Sequence, residues 1–140
     1  MRTIARLGLG LVFLVFGLNG FLHFIPAPPP TGDAAVFVGG LAAAGYFFPL
    51  LKGIEVLAGL MLLANFRAPL ALLLLAPIVV NIVAFHVELA PAGLPIAIGV
   101  LALEVYLAWS YRKVFAPIVQ GQEVSEAIQA PSRSMITGSV

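Results

Sequence analysis

Four stretches of this chain, at about residues 5–25, 46–64, 68–86 and 94–112, are almost wholly apolar, and each is bounded by a break that a helix does not readily cross. A helix needs about 20 mostly apolar residues to span the hydrocarbon core of a bilayer. Inside hydrocarbon every backbone N–H and C=O must be satisfied within the structure, so stretches of this kind fold as helices and not as open strands. The first break, "IPAPPPTGD", is dense in prolines, which lack the amide donor and clash with the preceding turn. "ANFRAP" and "VELAPAGLP" make the other two. Pro49, Pro69 and Pro95 fall near helix starts, where a missing N–H costs nothing. A soluble domain devotes roughly a quarter of its residues to charge; this chain devotes 9%, with 61% hydrophobic. The expected fold class is all-α, a four-helix transmembrane bundle embedded in a lipid bilayer.

The segment "GDAAVFVGGLAAAGYFF" is too short and too rich in Gly and Ala to add a further span beside residues 46–64. It is expected as a short helix at the outer interface between helices one and two, or dipping into it, capped by Thr31 or Asp33. The membrane domain covers residues 1–117. From residue 118 to 140 the chain is polar and is expected as a flexible cytoplasmic tail. A cleaved signal peptide is the rival reading of the first stretch, but its cleavage zone would be the proline run "IPAPPP", and the stretch is read as a retained span.

Orientation follows from the cations. Arg2, Arg6, Arg67, Arg112, Lys113 and Arg133 all fall on one side if both termini are cytoplasmic, and the opposite loops carry Asp33 and Glu88. Only Lys52 stands apart, inside the second stretch. The expectation is therefore N-in and C-in. Trp109, Tyr106 and Tyr111 read as interfacial aromatics at the inner end.

Several function classes drop out. A net charge of +1 without a basic cluster gives no nucleic-acid partner. The absence of cysteine removes disulfides, thiolate metal sites, iron–sulfur ligation and thiol nucleophiles. No phosphate-binding loop, dinucleotide fingerprint or nucleophile elbow occurs. Two histidines and scattered carboxylates lack metal-ligand spacing, and no metal is expected. His23 and His86 come from alternate helices, as axial haem ligands would, but the pair is solitary and close to the surface, so haem is not the reading adopted.

The remaining polar residues concentrate at one depth. With ~1.5 Å of rise per helical residue, Asn19, Lys52, Glu55, Asn81 and Glu104 fall in the outer half or near the midplane, and His23 and His86 near the outer surface. A lone charge at the bilayer centre costs at least ~2.5 kcal/mol on insertion scales. Turning inward to share hydrogen bonds is the economical solution, which predicts one polar pocket formed by all seven. Asn19 and His23 are i,i+4 neighbours and would form one wall. Lys52 and Glu55 are i,i+3 neighbours able to pair. Glu104 reads as a second partner for Lys52 or as a protonated acid. Pro77 leaves the carbonyl of Leu73 without its donor and favours a bend in the third helix. Gly17, Gly20, Gly53, Ala58 and Gly59 are expected where backbones approach closely. Each polar residue also has a plainer reading, as an ion pair or amide bond that only cements helix to helix.

The segments "GLVFLVFGLNGFLHF", "LLKGIEVLAGLMLLANFRAPLALLLLAPIVVNIVAFH" and "LALEVYLAWSYRKVFAP" resemble the DoxX family of small bacterial membrane proteins. The resemblance covers most of residues 4–117. It implies a four-helix bundle in the bacterial cytoplasmic membrane. Some relatives are linked to quinone-coupled oxidoreductase complexes, notably a subunit associated with thiosulfate:quinone oxidoreductase. By position, Asn19, His23, Glu55, Asn81 and His86 match the family's polar signature. The function this implies is a membrane subunit that binds a quinone or similar lipophilic molecule for an oxidoreductase partner, which would supply any thiol chemistry. The alternatives are a small proton- or solute-translocating protein, working as a homo-oligomer because its inner half lacks polar groups, and a purely structural assembly subunit.

Overall fold

The computed structural model describes residues 1–26 and 28–120. Among these the protein is all-helical: α1 (Arg2–Leu22), α2 (Gly32–Ala43), α3 (Phe47–Leu63), α4 (Ala68–Glu88), a 3-10 turn (Pro91–Gly93), α5 (Leu94–Ser110) and α6 (Arg112–Gln120). The polar tail expected from residue 118 lies outside the described residues from 121 onward, and residues 118–120 complete α6.

Three helices, α1, α4 and α5 with its preceding turn, are long and apolar enough to cross a membrane. A fourth span is reached if α2 and α3 are taken together, and these two meet at 90°. Much of the surface is made of large apolar side chains, among them Phe16, Leu73, Val80, Ile96 and Val105. An exterior of that kind suits lipid and not water.

Helix α1 stops at Leu22, three residues short of the expected end. His23 takes a left-handed conformation (φ 52°) and its N–H closes on the Asn19 carbonyl. Pro26 follows, and the residue before a proline is already pushed out of the helical region. Thr31 occupies the N-cap of α2, as expected, but makes no side-chain cap bond; Asp33 sits in the first turn, where a carboxylate complements the dipole. Helix α4 continues through Pro77.

Glycines hold α1 against α3. A Cβ added at Gly10 would meet the Gly59 carbonyl at 3.1 Å, one at Gly17 would meet the Val56 amide nitrogen at 2.9 Å, and one at Gly20 would collide with the Lys52 side chain. In the other direction a Cβ at Gly59 would meet the Leu14 amide nitrogen at 2.7 Å and the Gly10 carbonyl at 2.9 Å. The pairing of early α1 with late α3 shows that the two run antiparallel. Gly53 does not belong to this seam: it faces open space, because it is turned by about 120° around α3 from Gly59. Leu9, Leu62, Leu72, Leu75 and Leu107 are fully buried between the helices.

The antiparallel order gives the bundle two distinct ends. At the arginine end, α1 starts, α3 ends, α4 starts and α5 ends. There the guanidinium of Arg2 lies over Tyr111 at 5.2 Å and that of Arg112 over Trp109 at 5.1 Å, contacts in which a cation meets the negative face of a ring. At the histidine end, α1 ends, α3 starts, α4 ends at His86–Glu88 and α5 starts, with α2 alongside.

Candidate functional site

The second turn of α3 presents Lys52 and Glu55 on one face. The Lys52 Nζ stands 2.8 Å from Glu55 Oε2 and 3.1 Å from Oε1. The acid is 3% exposed and the lysine side chain 23%. Gly17 and Gly20 make this arrangement feasible: a side chain at either would occupy the space of Glu55 Cβ or of the Lys52 stem. The glycine seam thus serves the ion pair as well as the helix contact.

His86 comes from the last turn of α4. Its Nδ1 lies 2.9 Å from the Ala90 carbonyl. A carbonyl only accepts, so Nδ1 carries the hydrogen and Nε2 is the free ring position. The bond falls just beyond the helix end and fixes the ring. Phe85 stands edge-on to the imidazole at 5.4 Å. Gly93 lies against the ring so closely that any side chain there would displace it.

Lys52, Glu55 and His86 flank two hollows. The first, about 210 Å³, lies between α1, α3, α4 and α5, and its other walls include Phe13, Phe16, Ala97 and Val100. The second, about 240 Å³, lies between α2, α3 and α4, with Phe37, Leu41 and Phe48 among its walls. Lys52, Glu55, Ile82 and His86 line both. These four form a partition between two mostly apolar spaces, and three of them carry hydrogen-bonding groups.

Of the seven polar residues expected in one pocket, the structure brings together Lys52, Glu55, His86 and Asn81. Asn81 lines the second hollow, although it is itself exposed. The other three go elsewhere. Asn19 turns to the connection after α1: its Oδ1 accepts the Ile25 N–H at 2.6 Å and its Nδ2 donates to the Ile25 carbonyl at 3.4 Å. It therefore ties the first break to the helix end and forms no pocket wall. His23 does not share the face of Asn19, because the helical spacing stops one residue before it; it is exposed in the left-handed position. Glu104 is no partner of Lys52. It lies in a separate groove between α4 and α5, which shares no residue with the two hollows.

A further buried polar residue is one that sequence reasoning assigned only to membrane orientation. Arg6 is buried, and its Nη1 donates to the carbonyls of Leu62 and, at 3.3 Å, Leu63. The last carbonyls of a helix have no intrahelical donor, and a cation there also answers the negative end of the dipole. The signal was available in the spacing: Arg6 stands one turn before Gly10, on the face that packs against α3. Among the described residues no three His, Asp or Glu side chains gather as a metal site would require.

Comparison with protein-family models, with curated proteins and with solved structures finds no match to this chain.

Proposed function

We propose that the chain is a DoxX-like membrane subunit that binds a quinone or similar lipophilic molecule at the partition of Lys52, Glu55 and His86 and serves an oxidoreductase partner. In this reading it is a four-span bundle of the bacterial cytoplasmic membrane with both termini cytoplasmic; the second span is α3, with α2 lying at the outer surface. The observation that carries the reading is a buried ion pair and an oriented imidazole facing hollows whose other walls, Asn81 apart, are apolar. Lipophilic ligands are held in this way, by mostly apolar walls and a few fixed polar groups.

Each hollow is smaller than the ~300 Å³ at which drug-sized pockets begin. A ring headgroup fits, and an attached tail would run out between the helices into lipid. The Lys52 ammonium has three donors and bonds Glu55 with part of that capacity, so a quinone carbonyl can accept from it. The free Nε2 of His86 can accept from a quinol hydroxyl. Reducing a quinone adds two electrons and two protons. The electrons would come from the partner, and Glu55 and His86 are the groups placed to pass protons.

The test is purification in native lipid followed by mass spectrometry of bound small molecules, on the natural chain and on Glu55→Gln and His86→Ala. Quinone should co-purify with the natural chain and fall in both variants, and Glu55→Gln should lower the quinone-dependent turnover of any complex the chain joins. Unchanged quinone content in both variants would end the proposal. The purely structural reading draws on Asn19 and Arg6, whose side chains bond only backbone; it is selected if joint replacement of Lys52 and Glu55 alters stability and nothing else.

A further inference from the structure

Glu104 has no place in the site above, yet it is the more unusual of the two buried acids. It lies ten residues into α5, is 6% exposed, and its Oε2 has no hydrogen-bonding partner among the described residues. A buried carboxyl oxygen without a partner costs free energy. Glu104 lines a groove of about 420 Å³, whose other walls are Leu72, Leu73, Ala76, Val79 and Val80 of α4, Leu101, Val105 and Ala108 of α5, and Phe115 of α6. A lipid acyl tail could fill that space, but its CH₂ groups would leave the oxygen unsatisfied.

The polar groups of the groove are of one kind. Glu104 supplies carboxyl oxygens. Leu73, whose backbone carbonyl lacks its usual donor because the residue four positions on is Pro77, is among the lining residues. Among the described residues no Lys, Arg or His lines the groove. Arg6, the buried cation of the same end, is bonded to the carbonyls at the end of α3. Among the described residues the groove therefore lacks a donor and a positive charge, whereas the carboxylate of Glu55 already has both from Lys52.

We propose that the α4–α5 groove is a second binding site, for a lipophilic amine whose ammonium pairs with Glu104 and whose hydrocarbon lies along Leu72, Val79, Val105 and Phe115. Such a ligand supplies what is missing whichever form the acid starts from. A carboxylate takes the ready-made ammonium. A neutral acid passes its proton to the free amine: the O–H bond breaks, the N–H bond forms, and the same ion pair results. Three N–H donors let one ammonium pair with Glu104 and keep capacity for a further acceptor. The apolar walls exclude a cation that lacks a hydrocarbon body.

The experiment uses the full chain in lipid nanodiscs and a photoreactive derivative of dodecylamine with the reactive group in its chain. Mass spectrometry should locate the label on α4, α5 or α6. Dodecylamine should compete for the site, and dodecanol and dodecanoate should compete far more weakly. Glu104→Gln, nearly the same shape, should weaken labelling roughly tenfold or more, the scale of a lost charge-assisted bond, while Asp33→Asn, at an exposed acid of α2, leaves it unchanged. Comparison of amine with alcohol in the natural chain requires no variant and so stands even if Glu104→Gln folds poorly. Equal competition by the alcohol, full labelling of a folded Glu104→Gln chain, or label confined to the Lys52–Glu55–His86 partition would each overturn the proposal. So would a Glu104→Gln chain that merely loses self-association, which would assign the groove to a helix of a second copy.

Discussion

Glu55 and Glu104 are both buried acids in apolar helices, and the bundle treats them in opposite ways. Around Glu55 the neighbouring helix is stripped to glycine at Gly17 and Gly20, α1 closes down, and Lys52 lies within 2.8 Å. Around Glu104 no glycine brings a backbone close; a groove lies along the α4–α5 contact, and among the described residues one oxygen has no partner. The lesson is that burial alone does not say what an acid is for. A paired acid contributes to the structure that surrounds it, and an unpaired one is carried at a cost that the surrounding structure must absorb.

The strongest way to break the contrast is to remove the seam that makes the first site. Gly59→Leu drives a side chain into the backbone of Leu14 and Gly10, where no rotamer change relieves the clash. We expect a loss of about 3 kcal/mol or more, at the upper end of overpacking effects, seen as a lower denaturation midpoint in mixed micelles. Gly99→Leu, on open surface of α5, is the control and should change little. If both variants behave alike, α1 and α3 are not held by glycine contact and the Glu55 site has no scaffold.

Next in size is the ion pair itself. Lys52→Met leaves Glu55 buried without its cation, and we expect a loss of about 2–3 kcal/mol, below the 3–5 of a fully buried pair because the lysine is partly exposed. The joint Lys52→Met, Glu55→Leu chain should recover much of that loss, because replacing both partners removes the orphaned charge. A joint variant no better than the single one would mean that the pair is not a unit.

These expectations rest on details that the sequence carried unevenly. The helices were legible because hydropathy and prolines both punctuate them: "ANFRAP" and "VELAPAGLP" fall at the two hairpins the structure shows. The Lys52–Glu55 pair was legible because it needs only i,i+3 spacing on one helix. The expected seven-residue pocket failed where it depended on direction around a helix axis. Helix α5 is apolar on all sides, so nothing in its pattern told which way Glu104 faces, and its depth alone suggested a shared site. Asn19 and His23 failed for another reason. Their i,i+4 relation holds only while the helix continues, and the chain leaves it at Leu22. Arg6 was hidden because a cation near the start of a first span is adequately explained by orientation, while its actual partners lie in another helix 56 and 57 residues away.

Arg6 also sharpens the contrast from the other end of the bundle. It is a buried cation, like Glu104 a buried acid, and it is bonded to backbone carbonyls of α3. Arg6→Met should lower stability by about 1.5–2 kcal/mol, the scale of a lost hydrogen bond from a charged donor, and Arg6→Lys should restore only part of it, since a lysine lacks the planar fork. Hydrogen exchange should show the last turn of α3 opening in the methionine variant. Protection unchanged at Leu62–Asn65 would mean that the guanidinium contributes little there.

The smallest effect has the most telling sign. Glu55→Leu removes the acid, leaves the Lys52 ammonium half-buried without its partner, and should destabilise the chain. Glu104→Leu removes a buried oxygen that has no partner among the described residues and replaces it with a side chain matching the rest of the groove. Leucine is also at least as good a helix former as glutamate. We therefore expect Glu104→Leu to raise stability by about 1 kcal/mol, the lower end of the cost of an unsatisfied buried group, and to shift the denaturation midpoint upward. Opposite signs at the two acids would mark Glu104 as a residue retained against the interest of stability, as binding groups often are. A fall in stability at both would show that Glu104 has a structural partner after all, and the groove between α4 and α5 would then be packing and not a site.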